Sequence, residues 1–150
     1  MPQSLARLLV HVIFSTKYRA PLLVPEVRSA VHHYLGTVLR DHDCSTIRIG
    51  GVEDHVHRFF GLSRTLSIAK AVEIIKTTSS KWIKLQSPDL VEFHWQNGYG
   101  AFSVSPSRME TVIRYVENQE AHHREVSFQD EMRGLLKRHG VEFDERYVWD

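Results

Sequence analysis

The sequence predicts an α+β fold of the ferredoxin-like kind: β-α-β-β-α-β, an antiparallel sheet with helices on one face, then C-terminal helices, the first of which carries a tyrosine taken up below. Three observations predict it. Short apolar or alternating runs recur at residues 8–14, 45–50, 55–62 and 99–104; two stretches of helical apolar spacing fall between them; no linker, repeat or low-complexity segment divides the chain. At 150 residues and 17.4 kDa the chain suits one domain with a sizeable core and is too short for two large ones. Residues 1–150 are therefore expected to form a single domain.

Residues 8–14 (Leu-Leu-Val-His-Val-Ile-Phe) are short, β-branched and apolar, as a buried strand should be. Pro25 opens a helix to about Asp41, with Val27, Ala30, Val31, Tyr34, Leu35, Val38 and Leu39 at helical spacing. Residues 45–50 alternate as a second strand, and Gly50-Gly51 with Glu53-Asp54 turn the chain into a third. Ser67 caps a helix running to about Leu85, with Ile68, Ala71, Val72, Ile75 and Ile83 on its apolar side. Asn97-Gly98 leads into the fourth strand. One sheet face is thus covered by two helices and the other is left open or awaiting something to cover it. Ser105-Pro106 caps a helix through about His123, and Ser127-Phe128-Gln129-Asp130 resembles a capping box for a last helix ending at Gly140.

Charge is unevenly placed. The formal net charge is +1, yet Arg58, Arg64, Lys70, Lys76, Lys81 and Lys84 face one acid, Glu73, while six basic residues from Met109 onward face ten acidic ones. A basic middle suits a local site for polyanions, although a solvated lysine-bearing helix face has the same pattern. The lone Cys44 excludes a disulfide framework or a multi-cysteine zinc site. The start has no secretion-signal pattern and no run approaches the roughly 20 apolar residues that span a bilayer. A cytoplasmic protein without membrane contact is expected.

Two constellations can carry chemistry. His55-Val56-His57 falls in the third strand, where alternation projects both imidazoles from one face, about 6.5–7 Å apart at Cα. They can converge on one metal ion, or be a hydrogen-bonded pair without one. Tyr115 and Gln119 sit one helical turn apart on a shared face. Tyrosine can act as a nucleophile and a carboxamide oxygen can ligate a hard cation, although a helical tyrosine is most often a residue at the core edge.

Together with Ser67-Ile68-Ala69-Lys70, Ser79-Ser80-Lys81-Trp82, the run Trp95-Gln96-Asn97-Gly98-Tyr99-Gly100-Ala101-Phe102-Ser103-Val104-Ser105, Tyr115-Val116-Glu117-Asn118-Gln119 and His122-His123-Arg124, the segment Asp54-His55-Val56-His57 resembles the single-tyrosine HUH transposases, the short transposases of the IS-two-hundred group of bacterial insertion sequences and their relatives associated with REP sequences. The opening Phe14-Ser15-Thr16-Lys17-Tyr18-Arg19 and the ending Asp144-Glu145-Arg146-Tyr147-Val148-Trp149-Asp150 fit as well. The match spans nearly the whole chain in order.

The resemblance implies a metal-dependent nuclease and strand transferase for single-stranded DNA. His55, His57 and Gln119 are then ligands of magnesium or manganese, and Tyr115 is the nucleophile that forms a 5′-phosphotyrosine. It also implies hairpin-bearing DNA ends as partner and a homodimer, with Tyr115 acting in its own or its partner's site. A domesticated or non-catalytic hairpin-binding relative is the alternative. Lys17, Arg19, Lys76, Lys81 and Lys84 are candidates for phosphate contacts, and Tyr18, Trp82 and Trp95 for base stacking, with core or edge packing the blander role for the three aromatics. His122 and His123, seven and eight residues after Tyr115, could touch DNA or the site, with solvated side chains the blander role; His11, a candidate neighbour of His57 in the sheet, is given no role. One departure stands out: Arg58, where the family has an aliphatic residue, alternates onto the core face, so it should reach an acid or an open surface.

Overall fold

The structure is a computed structural model that describes residues 2–150. Four strands, β1 (Leu8–Ser15), β2 (Ser45–Gly51), β3 (His55–Leu62) and β4 (Gly100–Ser103), form one sheet in the order β2-β3-β1-β4, with every neighbouring pair antiparallel. Helices α1 (Pro25–Asp41) and α2 (Ile68–Lys84) connect them as the sequence predicts. The Ser67 hydroxyl caps α2 by accepting from the Lys70 amide at 3.1 Å. This is the ferredoxin-like arrangement, with three further helices after it: α3 (Met109–Glu117), α4 (Gln119–His122) and α5 (Phe128–Arg138). Among the described residues no helix is long and apolar enough to cross a membrane.

Alternation sorts the central strands onto two faces. Val12 and Phe14 of β1 and Val56 and Phe60 of β3 pack with Val31, Leu35 and Leu39 of α1 and Val72, Ile75 and Ile83 of α2 into the main core. The opposite face, left open or awaiting cover by the sequence pattern, is covered. Ile13 and Phe102 pack under Phe128, Met132, Leu135 and Leu136 of α5, and Leu9 and Phe59 pack under Val116 of α3. The apolar stripe of α5 needs a partner surface, and this face is where it finds one.

The helix expected over 105–123 is broken. Pro106–Arg108 is a 3-10 turn without a side-chain cap from Ser105, and Asn118, at φ −96° and ψ 25°, separates α3 from α4. Asparagine tolerates this bridge-region backbone because its short polar side chain supports non-helical conformations. The last helix ends at Arg138, two residues before Gly140, which sits at φ +66°.

Arg58 follows neither expected course. It is fully buried, and its guanidinium donates only to the Leu35 carbonyl, at 2.9 Å, while Nε and Nη1 have no partner. Burial pulls its pKa down to about 9, so it stays charged at neutral pH. A buried, underpaired cation costs stability. Arg58→Met, which keeps the length of the side chain and removes the charge, should raise stability by about 1–3 kcal/mol in a urea titration; a destabilised variant would contradict this account of the core.

His32 on α1 has a buried Nε2 without a partner, and burial, reinforced by the charges of Arg28 and Arg58, lowers its pKa to about 4. A histidine with a depressed folded pKa contributes fully above its unfolded value near 6.5. That contribution is lost as pH falls from about 6.5 toward 4 and levels off below, up to roughly 3 kcal/mol in all. His32→Gln cannot take up the proton, so its stability should fall less than that of the wild type across this window, as read by denaturant midpoints at each pH; parallel profiles would refute the assignment.

Candidate active site

β3 delivers His55 and His57 to the face covered by α3, α4 and α5, and both are fully buried. Each ring has its Nδ1 occupied from behind. His55 Nδ1 lies 2.7 Å from the Asp54 carboxylate, and His57 Nδ1 lies 2.8 Å from His11 Nε2. Both Nε2 atoms are left facing the space above the sheet.

That space is held by Glu131 of α5, whose side chain is only 1% exposed. Its Oε1 lies 2.9 Å from His57 Nε2, 3.0 Å from His123 Nε2 and 3.3 Å from His55 Nε2. Its Oε2 accepts the hydrogen bond of the Tyr115 hydroxyl and lies 3.2 Å from His122 Nε2. Gln119 Oε1 stands 3.3 Å from His55 Nε2, and its carboxamide nitrogen donates to the Tyr115 carbonyl at 3.1 Å. Ligand atoms of His55, His57, His123 and Glu131 all lie within 4.8 Å of one another, so this group can hold a metal ion.

The electrostatics follow from one buried carboxylate among imidazoles. Burial alone would raise the Glu131 pKa, but hydrogen bonds from His123, His55 and His57 outweigh it and keep the carboxyl ionised far below the usual range. Burial pulls His57 down to about 4 and His11 to about 3. Burial also opposes charge on His55, yet the bonds to Asp54 and Glu131 prevail and hold it up to about 9. Tyr115 is pushed well above an ordinary phenol, by burial first and then by the charge of Glu131. At neutral pH the phenol therefore carries its proton.

Of the residues expected from the sequence, His55, His57, Tyr115 and Gln119 are brought together. The lysines are not. Lys76, Lys81 and Lys84 lie on α2, across the sheet, and Lys17 and Arg19 lie in the turn after β1. The Lys76 ammonium is engaged with the carbonyls of Gln96, Asn97 and Gly98 at 2.6–3.1 Å. Trp95 is core, donating to Ser79 Oγ at 2.9 Å, and Trp82 stacks on Tyr34, whereas Tyr18 is exposed.

Sequence reasoning gave His11 no role, set His123 down as solvated and missed Glu131. His123 has a side chain only 8% exposed and joins the cluster through Glu131. His11 shares the alternation phase of Ile13, the partner of His57, and that phase was its available signal. Glu131 falls at helical spacing with Phe128, Met132 and Leu135, so the signal there was an acid inside an apolar stripe.

Two further features shape access. A cleft of about 480 Å³ reaches Tyr115 between β4, α3 and α5, lined in part by Ser103, Ser105, Arg108, Thr111 and Arg138. The α3–α4 segment is pinned at the sheet edge by Arg48 on Glu117 and Arg28 on Glu120, both at 3.1 Å.

Residues 4–119 match the family described as Transposase IS200 like. The chain belongs to that family. It is 26% identical over 114 residues to the ISDra2 transposase TnpA of Deinococcus radiodurans, covering 73% of this chain and 81% of that protein. A crystal structure assigned as a transposase of Deinococcus radiodurans R1 is similar at a TM-score of 0.61 and 24% identity, covering 79% of this chain and 98% of that one. A REP-associated tyrosine transposase bound to a REP hairpin is similar at a TM-score of 0.62 and 13% identity, covering 84% of this chain and 74% of that one. Both structures share the fold. The matched family segment stops at residue 119, so His122, His123 and Glu131 of this IS200-like transposase lie beyond it.

Docking of the tyrosine helix depends on a glycine. A Cβ placed on Gly50 of β2 would stand 2.1 Å from the Val116 carbonyl oxygen, one residue from Tyr115. Gly50→Ala should therefore displace α3 and cost stability on the scale of overpacking, about 1–3 kcal/mol, with Tyr115 moved away from Glu131. Thermal unfolding and the chemical shifts of the Tyr115 ring would check both; an unperturbed variant would show that the contact is slack.

Proposed function

We propose that the chain is a metal-dependent endonuclease and strand transferase that cleaves and rejoins single-stranded DNA at element ends through a 5′-phosphotyrosine on Tyr115. Family membership supports DNA transposition as the process. The observation that carries the chemistry is the placement of the Tyr115 hydroxyl on the same carboxylate that meets His55 and His57, within one chain.

The donor chemistry at this position, two imidazole nitrogens and a carboxamide oxygen, fits a divalent cation, so His55, His57 and Gln119 are proposed to hold Mg2+ or Mn2+. When bound, such an ion neutralises charge on the scissile phosphate and favours departure of the 3′ oxygen. The chain's own residues do the rest. Tyr115 Oη forms the bond to phosphorus, its proton going toward the Glu131 oxygen that already accepts it, and the phosphorus–O3′ bond breaks. The strand end leaves as a free 3′-hydroxyl. Because the phosphotyrosine retains the bond energy, a second 3′-hydroxyl can reverse the step and join the DNA.

The cleft beside Tyr115, with Arg108 and Arg138 at its walls, is proposed as the path of the single strand. One solved neighbour binds a REP hairpin, and hairpin-bearing DNA is proposed as the partner here, with Lys17 and Arg19 in the turn after β1 and Lys76, Lys81 and Lys84 on α2 as phosphate contacts. Joining two ends requires two nucleophiles, which favours a homodimer. In this structure Tyr115 meets the histidines of its own chain, so each protomer is proposed to act in cis.

Tyr115→Phe removes one hydroxyl and its bond to Glu131, which should cost about 1–2 kcal/mol of stability and leave the fold intact. Incubated with single-stranded hairpin ends and Mn2+, the wild type should form a covalent protein–DNA adduct mapping to Arg114-Tyr115-Val116. The phenylalanine variant should form none while still shifting the DNA in a gel. An adduct on another tyrosine, or undiminished cleavage, would overturn the mechanism; DNA binding without cleavage by the wild type would identify a binding relative.

A further inference from the structure

We infer that in the DNA-free protein Glu131 and His123 complete the metal centre: with His55 and His57 they form a four-donor site, three imidazole nitrogens and one carboxylate oxygen, for a divalent first-row transition ion, with Glu131 and not Gln119 as the oxygen ligand until a strand is bound. The inference rests on the reading of His55 and His57 as ligands and goes beyond it in naming two residues outside the family segment.

The first support is spacing. Metal–ligand bonds near 2.1 Å set tetrahedral donor–donor edges at about 3.4 Å. Glu131 Oε1 stands 2.9, 3.0 and 3.3 Å from the Nε2 atoms of His57, His123 and His55, close to the edges of such a polyhedron. These contacts need only open slightly around an ion.

The second support is orientation. A ligating histidine needs a lone pair on one nitrogen, and an outer partner on the other nitrogen sets that tautomer. Asp54 accepts from His55 Nδ1, and His11 Nε2 stands ready to accept from His57 Nδ1. An ion between the two strand histidines and Glu131 would then replace the hydrogen bonds that their Nε2 atoms make to its Oε1.

The third support is charge. Glu131 is buried, and among the described residues its ion-pair contacts are imidazoles, with the Tyr115 hydroxyl beside them and no lysine or arginine within 4 Å. A buried carboxylate needs a cation. A divalent ion meets that need and binds to neutral imidazoles at once. Gln119 is the weaker candidate: its oxygen is uncharged and its nitrogen is committed to the Tyr115 carbonyl. The donor set also discriminates between ions. Mg2+ favours oxygen ligands and retains water, whereas imidazole-rich sites suit transition ions. Since His123 follows α4 and Glu131 lies on α5, an ion here would fasten the C-terminal helices to β3.

The test uses full-length protein stripped with chelator, without DNA, titrated with Mn2+ and separately with Mg2+ by calorimetry and thermal unfolding. Wild type should bind Mn2+ more tightly than Mg2+ and gain thermal stability on binding. Glu131→Gln, nearly isosteric, and His123→Ala should each weaken Mn2+ by about tenfold or more and lose most of the thermal shift. Gln119→Ala should keep both, and His55→Ala should lose both. If Glu131→Gln fails to fold without metal, His123→Ala carries the test. Wild-type Mn2+ affinity in Glu131→Gln and His123→Ala, with loss in Gln119→Ala, would overturn this ligand set and leave the proposed function standing. Equal affinity for Mg2+ would overturn the ion class. Wild-type affinity in His55→Ala would remove the metal reading altogether.

Discussion

A single buried carboxylate organises the functional half of this molecule. Glu131 cannot be ionised away from water unless donors converge on it. They come from three places: His55 and His57 on β3, Tyr115 on α3, and His123 just after α4. Each donor supplies part of the stabilisation, so moving any one of these elements leaves the charge underpaired. Apolar packing of Phe128, Met132 and Leu135 brings α5 to the sheet, but packing alone tolerates sliding. Directional bonds to Glu131 do not.

The two faces of the sheet solve different problems with the same alternation. Below it, Val12, Phe14, Val56 and Phe60 meet α1 and α2 through aliphatic and aromatic contacts, and the one misfit is Arg58. Above it, the positions one residue over hold His11, His55 and His57, which a purely apolar helix could not cover without orphaning polar atoms. The covering helices accordingly bring polar groups of their own. Close approach is arranged by small residues: Gly50 admits the Val116 carbonyl, and Gly100 admits Met132, whose sulfur would sit 2.9 Å from an added Cβ.

How far the sequence could be read follows from the range of the forces involved. Strand alternation and helix caps are local, and they placed β1 to β4, α1, α2 and the cap at Ser127 correctly to within a residue or two. Alternation also put His55 and His57 on one face, and helical spacing put Tyr115 near Gln119. What local pattern could not show was which later helix covers that face. The sequence left that face open or awaiting cover, and the cover from α5 was not legible because that helix arrives from far along the chain, and with it Glu131. His123 was set down as solvated although its spacing from Tyr115 put it near the same helical face; the carboxylate that draws it in lies on a later helix. Arg58 was read as needing an acid or an opening, since sequence rules assume that buried charge is paired, and here it has one carbonyl.

The buried carboxylate also bears on how the proposed nucleophile, Tyr115, is kept quiet. A phenol held above its ordinary pKa by burial and an adjacent negative charge is a poor nucleophile. The same contact that places Tyr115 at the histidines therefore restrains it. A scissile phosphate adds negative charge and cannot approach Glu131 unless positive charge enters with it. Arg108 and Arg138 stand along the cleft toward Tyr115, on the side from which a strand would come. Tyrosine, carboxylate and imidazoles stand together in the protein alone, so under the proposed mechanism what remains to be supplied is charge rather than rearrangement. On that reading the restraint on Tyr115 is lifted only when the cation and the strand are present together.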